Sequence, residues 1–245
     1  MLRKFILWLL IPLGLRRKGD FIILSHFWRH PFFTVRMLRA SKSQVGQDVF
    51  VCCQLNLWKN DKRKYFFVEF GATDGVSLSN TYILEKIFNW NGLLIEPARV
   101  WKQKLIFNRN SKIDFRCIFS ETGKSILFNE TDNAVYSTID RFSDLDLHNN
   151  ERKQSLNYWV DTITLNDLLT EQAAPTTIDY LSIDTEGSEY DILKSVNFDK
   201  WEFRIITVEH NYTANRNLIY NLLTANGYKR IFENISLMDD WYVKC

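Results

Sequence analysis

A chain of 245 residues holds one large domain with room for a short appendage, and 46% hydrophobic with 24% charged residues excludes wholesale disorder. Nine glycines and four prolines exclude collagen-like and low-complexity architectures. The net charge of +2 hides an asymmetry: residues 1–40 carry eight Lys/Arg and one acid, while the rest carries 23 basic and 28 acidic residues. This pattern predicts an anionic partner for the tail and gives the body no character of a nucleic-acid binder.

Phe5 to Leu15 is an apolar run flanked by Arg3-Lys4 and Arg16-Arg17-Lys18. As a helix it would span about 16 Å, too short for roughly 30 Å of bilayer hydrocarbon. A signal peptide fits the basic start but lacks a small-residue cleavage site. Two readings stay open, a helix packed on the domain and a peripheral foot that meets anionic lipid. Aromatic and basic residues over 20–43 predict a helix or two, so residues 1–42 form an N-terminal helical extension and 43–245 the main domain. Cys52, Cys53, Cys117 and Cys245 show neither metal-ligand nor disulfide spacing, which predicts reduced thiols and a cytoplasmic compartment.

From Tyr65 short apolar runs alternate with helical periodicity, the pattern of a mostly parallel sheet with crossover helices on both faces. Strands are predicted at Phe66–Phe70, Gly92–Glu96, Asp114–Phe119, Ile178–Asp184, Arg204–Glu209, Tyr228–Phe232 and Trp241–Lys244, with a short one at Ile126–Asn129. Helices are predicted at Thr81–Asn89, after the capping boxes that begin at Thr164 and Ser188, and around Leu218–Leu223, stopped near Gly227. The polar stretch 131–158 reads as a loop that shapes a binding site.

Four segments carry chemistry. Phe67–Gly75 runs a buried strand into a turn with Gly71 and Gly75, and glycine lets a ligand approach the backbone. Its acids Glu69 and Asp74 would repel a pyrophosphate and suit a cationic ligand. Glu96 ends the next strand, where a carboxylate accepts both hydrogen bonds of a ribose diol. Asp184, Glu186 and Glu189 crowd a third strand end, and crowded carboxylates raise one another's pKa. Glu209, His210 and Asn211 end a fourth. His210 is a candidate general base with Asp184 or Glu209 orienting or replacing it. Oxygen donors at these two strand ends would also suit Mg²⁺.

Seven segments in this order resemble the FkbM-type S-adenosylmethionine-dependent methyltransferases: Ser43-Gln44-x-Gly46-Gln47-Asp48, Val68–Gly75 with Ser79-Asn80-Thr81, Gly92–Pro97, Cys117–Gly123, Asp161–Leu169, Leu181–Glu189, and Val208-Glu209-x-Asn211. The resemblance runs from Ser43 to the C-terminus and implies an α/β fold with the class I Rossmann-like sheet. It implies S-adenosyl-L-methionine as cofactor, held by Glu69, Gly71, Ala72, Asp74, Gly75, Asn80, Glu96, Pro97, Ser120, Glu121 and Asp184. Glu69, Gly71 and Asp74 would lie by the methionine moiety, Glu96 by the ribose, and Ser120 and Glu121 by adenine. Asp184, Glu209 and His210 would carry catalysis. Gln44, Glu186 and Asn211 would meet the acceptor, with Gln47 closing the pocket. The implied activity is O-methylation of a hydroxyl on a sugar, polyketide or related metabolite. The basic tail favours a sugar of a cell-surface glycan or glycolipid precursor, made at the inner face of the membrane. Two other readings of the same sheet are a nicotinamide-dependent oxidoreductase, disfavoured by the missing third glycine and the acidic turn, and a non-catalytic nucleoside-binding module.

Overall fold

The structure, a computed structural model, describes residues 18–59, 61–131, 134–140 and 155–245. The apolar run 5–15 and residues 141–154 of the polar stretch lie outside the described residues, as do the expectations attached to them. Among the described residues no helix is long and apolar enough to cross a membrane.

The helices are α1 (Lys18–His26), α2 (Pro31–Ala40), α3 (Gln47–Gln54), α4 (Tyr82–Phe88), α5 (Lys102–Asn108), α6 (Leu165–Glu171), α7 (Glu189–Lys194) and α8 (Asn215–Ala225). The strands are β1 (Phe66–Phe70), β2 (Asn91–Ile95), β3 (Lys112–Asp114), β4 (Cys117–Ile118), β5 (Ser125–Thr131), β6 (Thr138–Ile139), β7 (Ser155–Ile163), β8 (Thr177–Ile183), β9 (Glu202–Glu209), β10 (Tyr228–Ile231) and β11 (Asp239–Lys244). Seven strands form the main sheet in the order β10-β11-β9-β8-β1-β2-β3. The run from β3 to β9 is parallel, and β11 and β10 close it antiparallel. The expected α/β architecture is therefore present, with a parallel-rich sheet.

Side chains alternate across a strand, so each strand feeds two apolar layers. Phe67, Leu94, Tyr180, Ile205 and Trp241 pack on one face, against the buried side of α1 to α4. Val68, Phe70, Leu93, Leu181 and Ile206 pack on the other, against α6, α7 and α8. Ile23, Leu24, Val35 and Met37 of α1 and α2 belong to the first layer, which knits these helices into the main core.

Three expectations need correction. The strand expected at Asp114–Phe119 is broken into β3 and β4, which lie in different sheets. Its Asp114 carboxylate accepts from the backbone N–H of Arg116 at 2.8 Å and from the Arg116 guanidinium at 2.7 Å, which bends the chain into a corner. The stretch expected as a loop ends inside β7, which with β4, β5 and β6 makes a second sheet in the order β4-β7-β5-β6. Leu156 and Trp159 of β7 are exposed, so its apolar residues trace no single buried face for the sequence to reveal. The capping box at Thr164 forms, its hydroxyl accepting from Asp167 N–H at 3.1 Å, but Ser188 makes no such cap and donates to the Thr185 hydroxyl instead.

Candidate active site

The chain reverses its winding direction between β1 and β8, and open α/β sheets bind ligands outside the carboxyl ends of strands at such a point. The tips of β1 and β8 approach so closely that a Cβ on Gly71 would stand 2.1 Å from the Asp184 carbonyl oxygen. Gly71 also has φ +73°, a conformation side chains disfavour. Its lack of a side chain is thus required by the neighbouring strand before any ligand is considered. A cavity of about 770 Å³, counting the part open to solvent, lies above this contact. Glu69, Gly71, Asn80, Glu96, Asp184 and Glu186 line it from the main sheet. Cys117, Ile118, Phe128 and Ile139 line it from the second sheet.

Glu96 is 4% exposed at the tip of β2. One carboxylate oxygen accepts from Thr73 N–H and the other from Ala98 N–H, each at 2.8 Å. Burial raises its pKa to about 7 against these amides, with Asp184 and Glu130 adding to the rise. Asn80 donates from Nδ2 to the Ser182 hydroxyl at 2.9 Å, while its Oδ1 is buried beside the cavity without a partner among the described residues. An unmatched buried acceptor calls for a donor from a ligand.

Glu69 sits on the cavity floor but is already engaged. Its carboxylate accepts from Asn80 N–H at 2.6 Å, Thr81 Oγ1 at 2.5 Å and Ser79 Oγ at 3.0 Å. The buried guanidinium of Arg109 lies 3.6 Å away and donates to Glu85 at 3.0 Å, Ser79 and Thr81. Burial still pushes the Glu69 pKa up, while Lys86, Ser111 and Arg109 overcome burial at Glu85 and hold it at about 2.

Several expected residues lie off the cavity lining. Asp74 folds into its own turn, accepting from Val76 N–H at 2.8 Å and Ser77 N–H at 2.7 Å. Gly75 has φ +79° and packs on Arg109, and Ala72 is part of the core. Ser120 and Glu121 lie outside the lining, with Glu121 exposed and 3.5 Å from Lys124. Pro97 does line the cavity, as do Cys117 and Ile118, three and two residues before Ser120. Gln44 is exposed, whereas Gln47 is buried and donates to Asp239 at 2.6 Å. Phe128, Val135 and Ile139 escaped the sequence reading. The β5 alternation around Ile126–Asn129 was the available signal for Phe128 alone.

The carboxylates expected to face the acceptor do converge. Asp184, Glu186 and Glu209 each place a carboxylate oxygen within 4.8 Å of the others. Burial raises the Glu209 pKa well above the ordinary range, and Asp184, Glu186, Glu189 and Asp239 push it the same way. Burial also lifts Asp239 to about 7. Asn211 reaches Glu186 at 3.4 Å. Thr73, Glu186, Asn211 and Tyr212 all take positive φ at this sheet edge, strain of the kind that gathers at functional sites.

His210 departs from the expected constellation. Its Nδ1 accepts from Tyr212 N–H at 3.0 Å, and Nε2 faces Asp240 at 3.7 Å. Arg216 and Arg230 already bind that aspartate at 2.8 and 3.1 Å. Burial lowers the His210 pKa, and its ring lies off the lining of the main cavity. Nδ1 therefore has no lone pair to spare for a substrate proton, and the ring lies with Glu209 and Asn211 on a second, smaller pocket.

The methyltransferase FkbM domain model matches residues 69–230, more than half of the chain. The chain belongs to the FkbM methyltransferase family. No curated protein matches it. Among solved structures it is similar to the crystal structure of methyltransferase FkbM from Methylobacillus flagellatus KT, at 11% identity and a TM-score of 0.45. That match covers 91% of this chain and 58% of the other. The matched family region contains Glu69, Gly71, Asn80, Glu96, Asp184, Glu186 and Glu209, and leaves out α1 and α2.

Proposed function

We propose that this FkbM-family protein is an S-adenosyl-L-methionine-dependent O-methyltransferase with a class I Rossmann-like sheet, acting on a sugar hydroxyl of a cell-surface glycan or glycolipid precursor. The observation that carries the reading is Glu96, a buried carboxylate at the tip of the second strand, opening on a cavity whose far wall is apolar. Held by two backbone amides, it keeps lone pairs for the diol of a ribose. Ile118 and Phe128 offer a flat apolar slot for a purine. Asn80 Oδ1 supplies an acceptor for the ammonium of an amino-acid chain, which satisfies a buried oxygen left unmatched among the described residues.

When bound, the cofactor supplies an electrophilic methyl group on sulfonium. Glu96 and Asn80 fix its two ends, so that much of the rate enhancement, on the order of 7–11 kcal/mol, comes from positioning. Asp184 reaches the cavity from β8 and holds the acceptor hydroxyl, and either Asp184 or Glu209 takes its proton. Glu186 orients the acceptor from the adjoining loop.

A place at the inner membrane face is supported by the basic excess over residues 1–40 and by the 81% exposure of Phe32 near Arg36 and Arg39 on α2. Cys52, Cys53, Cys117 and Cys245 are free thiols, which agrees with a reducing compartment.

Calorimetry with S-adenosylhomocysteine and with NAD tests the cofactor. The reading expects the first to bind, and Glu96→Gln to weaken it by about tenfold or more. Binding of NAD alone, or of neither, overturns it. Mass spectrometry of a surface-glycan pool incubated with enzyme and cofactor then seeks a gain of one CH₂ per acceptor.

A further inference from the structure

The carboxylates at the tips of β8 and β9 form a second element of the site, separate in chemistry from the Glu96 end. Glu209 is 8% exposed. Its Oε2 is fully buried and has no hydrogen-bond partner among the described residues. No lysine or arginine among the described residues forms an ion pair with it. Leaving a buried carboxylate oxygen without a donor carries a large desolvation penalty. The Glu209 carboxyl group stands among two others: one oxygen each from Asp184, Glu186 and Glu209 lies within 4.8 Å of the others.

That spacing fits metal ligation. An octahedral magnesium or manganese ion holds oxygens at about 2.1 Å, which places neighbouring donors about 3 Å and opposite donors about 4.2 Å apart. The three oxygens therefore need to close by only a fraction of an ångström to one or two ångströms. Their donors are all hard carboxylate oxygens, with no thiolate or imidazole among them, which selects Mg²⁺ or Mn²⁺ over zinc or copper. Asp184 and Glu186 also line the main cavity, so such an ion would keep open positions on the side where an acceptor enters.

We propose that Asp184, Glu186 and Glu209 bind one hard divalent cation of the magnesium–manganese class at the acceptor end of the cavity. The site stands on these carboxylates alone. Only its consequence rests on the methyltransferase reading: the cation would bind the acceptor hydroxyl and ease its deprotonation.

The probe is Mn²⁺ alone, added to the full chain without cofactor and followed by the loss of the free-ion electron paramagnetic resonance signal. One site per chain is expected, displaced by excess Mg²⁺. Glu209→Gln weakens it by about tenfold or more, because it replaces a charged ligand with a neutral one. Glu202→Gln, at the other end of β9 and exposed, leaves it unchanged. Glu186→Gln, in the loop after β8, gives a second variant if Glu209→Gln folds poorly, and the same loss is expected. In melting experiments Mn²⁺ raises the Tm of the wild type but not of either ligand variant. The proposal is overturned by no binding at millimolar Mn²⁺, by binding that both ligand variants retain, or by methylammonium displacing Mn²⁺ as well as Mg²⁺ does, which would make this an organic ammonium site. S-adenosylhomocysteine binding, measured in chelator, distinguishes failure of the cofactor reading from failure of the cation site.

Discussion

Glu69, one residue before the end of β1, and Glu209, the last residue of β9, stand near the tips of two strands that both pair in parallel with β8, and both are more than nine-tenths buried. Around Glu69 the fold supplies hydroxyl and amide donors and the buried Arg109 guanidinium, which also serves Glu85. Around Glu209 it places Asp184, Glu186, Glu189 and Asp239, and one carboxylate oxygen is left unmatched. A charge neutralised from within is scaffold. A charge neutralised by nothing the described residues supply is an invitation to something that binds.

The strongest way to break this contrast is to remove the internal cation. Arg109→Met strands Glu69 and Glu85 in the core and should cost about 3–5 kcal/mol in urea unfolding. A loss under about 1 kcal/mol would put the two regions on the same footing. Next in size is the contact that sets them side by side. Gly71→Ala should cost about 2–4 kcal/mol through positive φ and collision with the Asp184 carbonyl, and should weaken S-adenosylhomocysteine binding as well. Wild-type stability in that variant would mean the strand tips can part freely.

Titration sharpens the contrast further. The folded-state pKa of Glu96 is raised from 4.5 to about 7, so the folded protein holds this proton more tightly than the unfolded chain. Its contribution is complete below the unfolded value and is lost as pH rises towards about 7. Glu96→Gln, which has no proton to lose, should gain on the wild type by about 2 kcal/mol between about pH 5 and pH 8. Stability curves that stay parallel across that range would contradict the raised pKa. The smallest effect is expected at the unmatched carboxylate itself. In chelator, Glu209→Gln should leave the ligand-free protein as stable as the wild type or about 1 kcal/mol more so, because a neutral amide relieves like-charge crowding. A loss of several kcal/mol there would mean that Glu209 is held as firmly as Glu69.

The main sheet was legible because each parallel strand is buried on both faces and reads as an unbroken apolar run, as Phe66–Phe70 and Ile178–Ile183 do. Acids directly after such runs marked Glu96 and Asp184 as cavity residues. The second sheet was poorly legible because β4 spans only Cys117–Ile118 and β7 exposes Leu156 and Trp159, which hides the alternation. Arg109 escaped because an arginine just past a helix reads as a solvent-facing partner of the last carbonyls, and only tertiary packing reveals it as the counter-ion of Glu69 on β1 and Glu85 on α4. Asp74 and His210, both expected at the site, lie off the lining of the main cavity. Each stands next to a tight turn, and short-range hydrogen bonds to backbone N–H groups absorb side chains at such places before any ligand can.

The bend at Asp114–Arg116 has a consequence for selectivity. It sends the chain from the edge strand of the main sheet into the second sheet, where Cys117 and Ile118 line the cavity, and Arg116 clamps the bend by gripping Asp114 on one side and Glu171 on the other. The two sheets that supply Glu96 and Phe128 to the cavity are thereby joined at a clamped corner of the framework. A ligand entering there is measured against a rigid gauge, and a surface substitution at Glu171, distant from every group that would touch it, could change what passes.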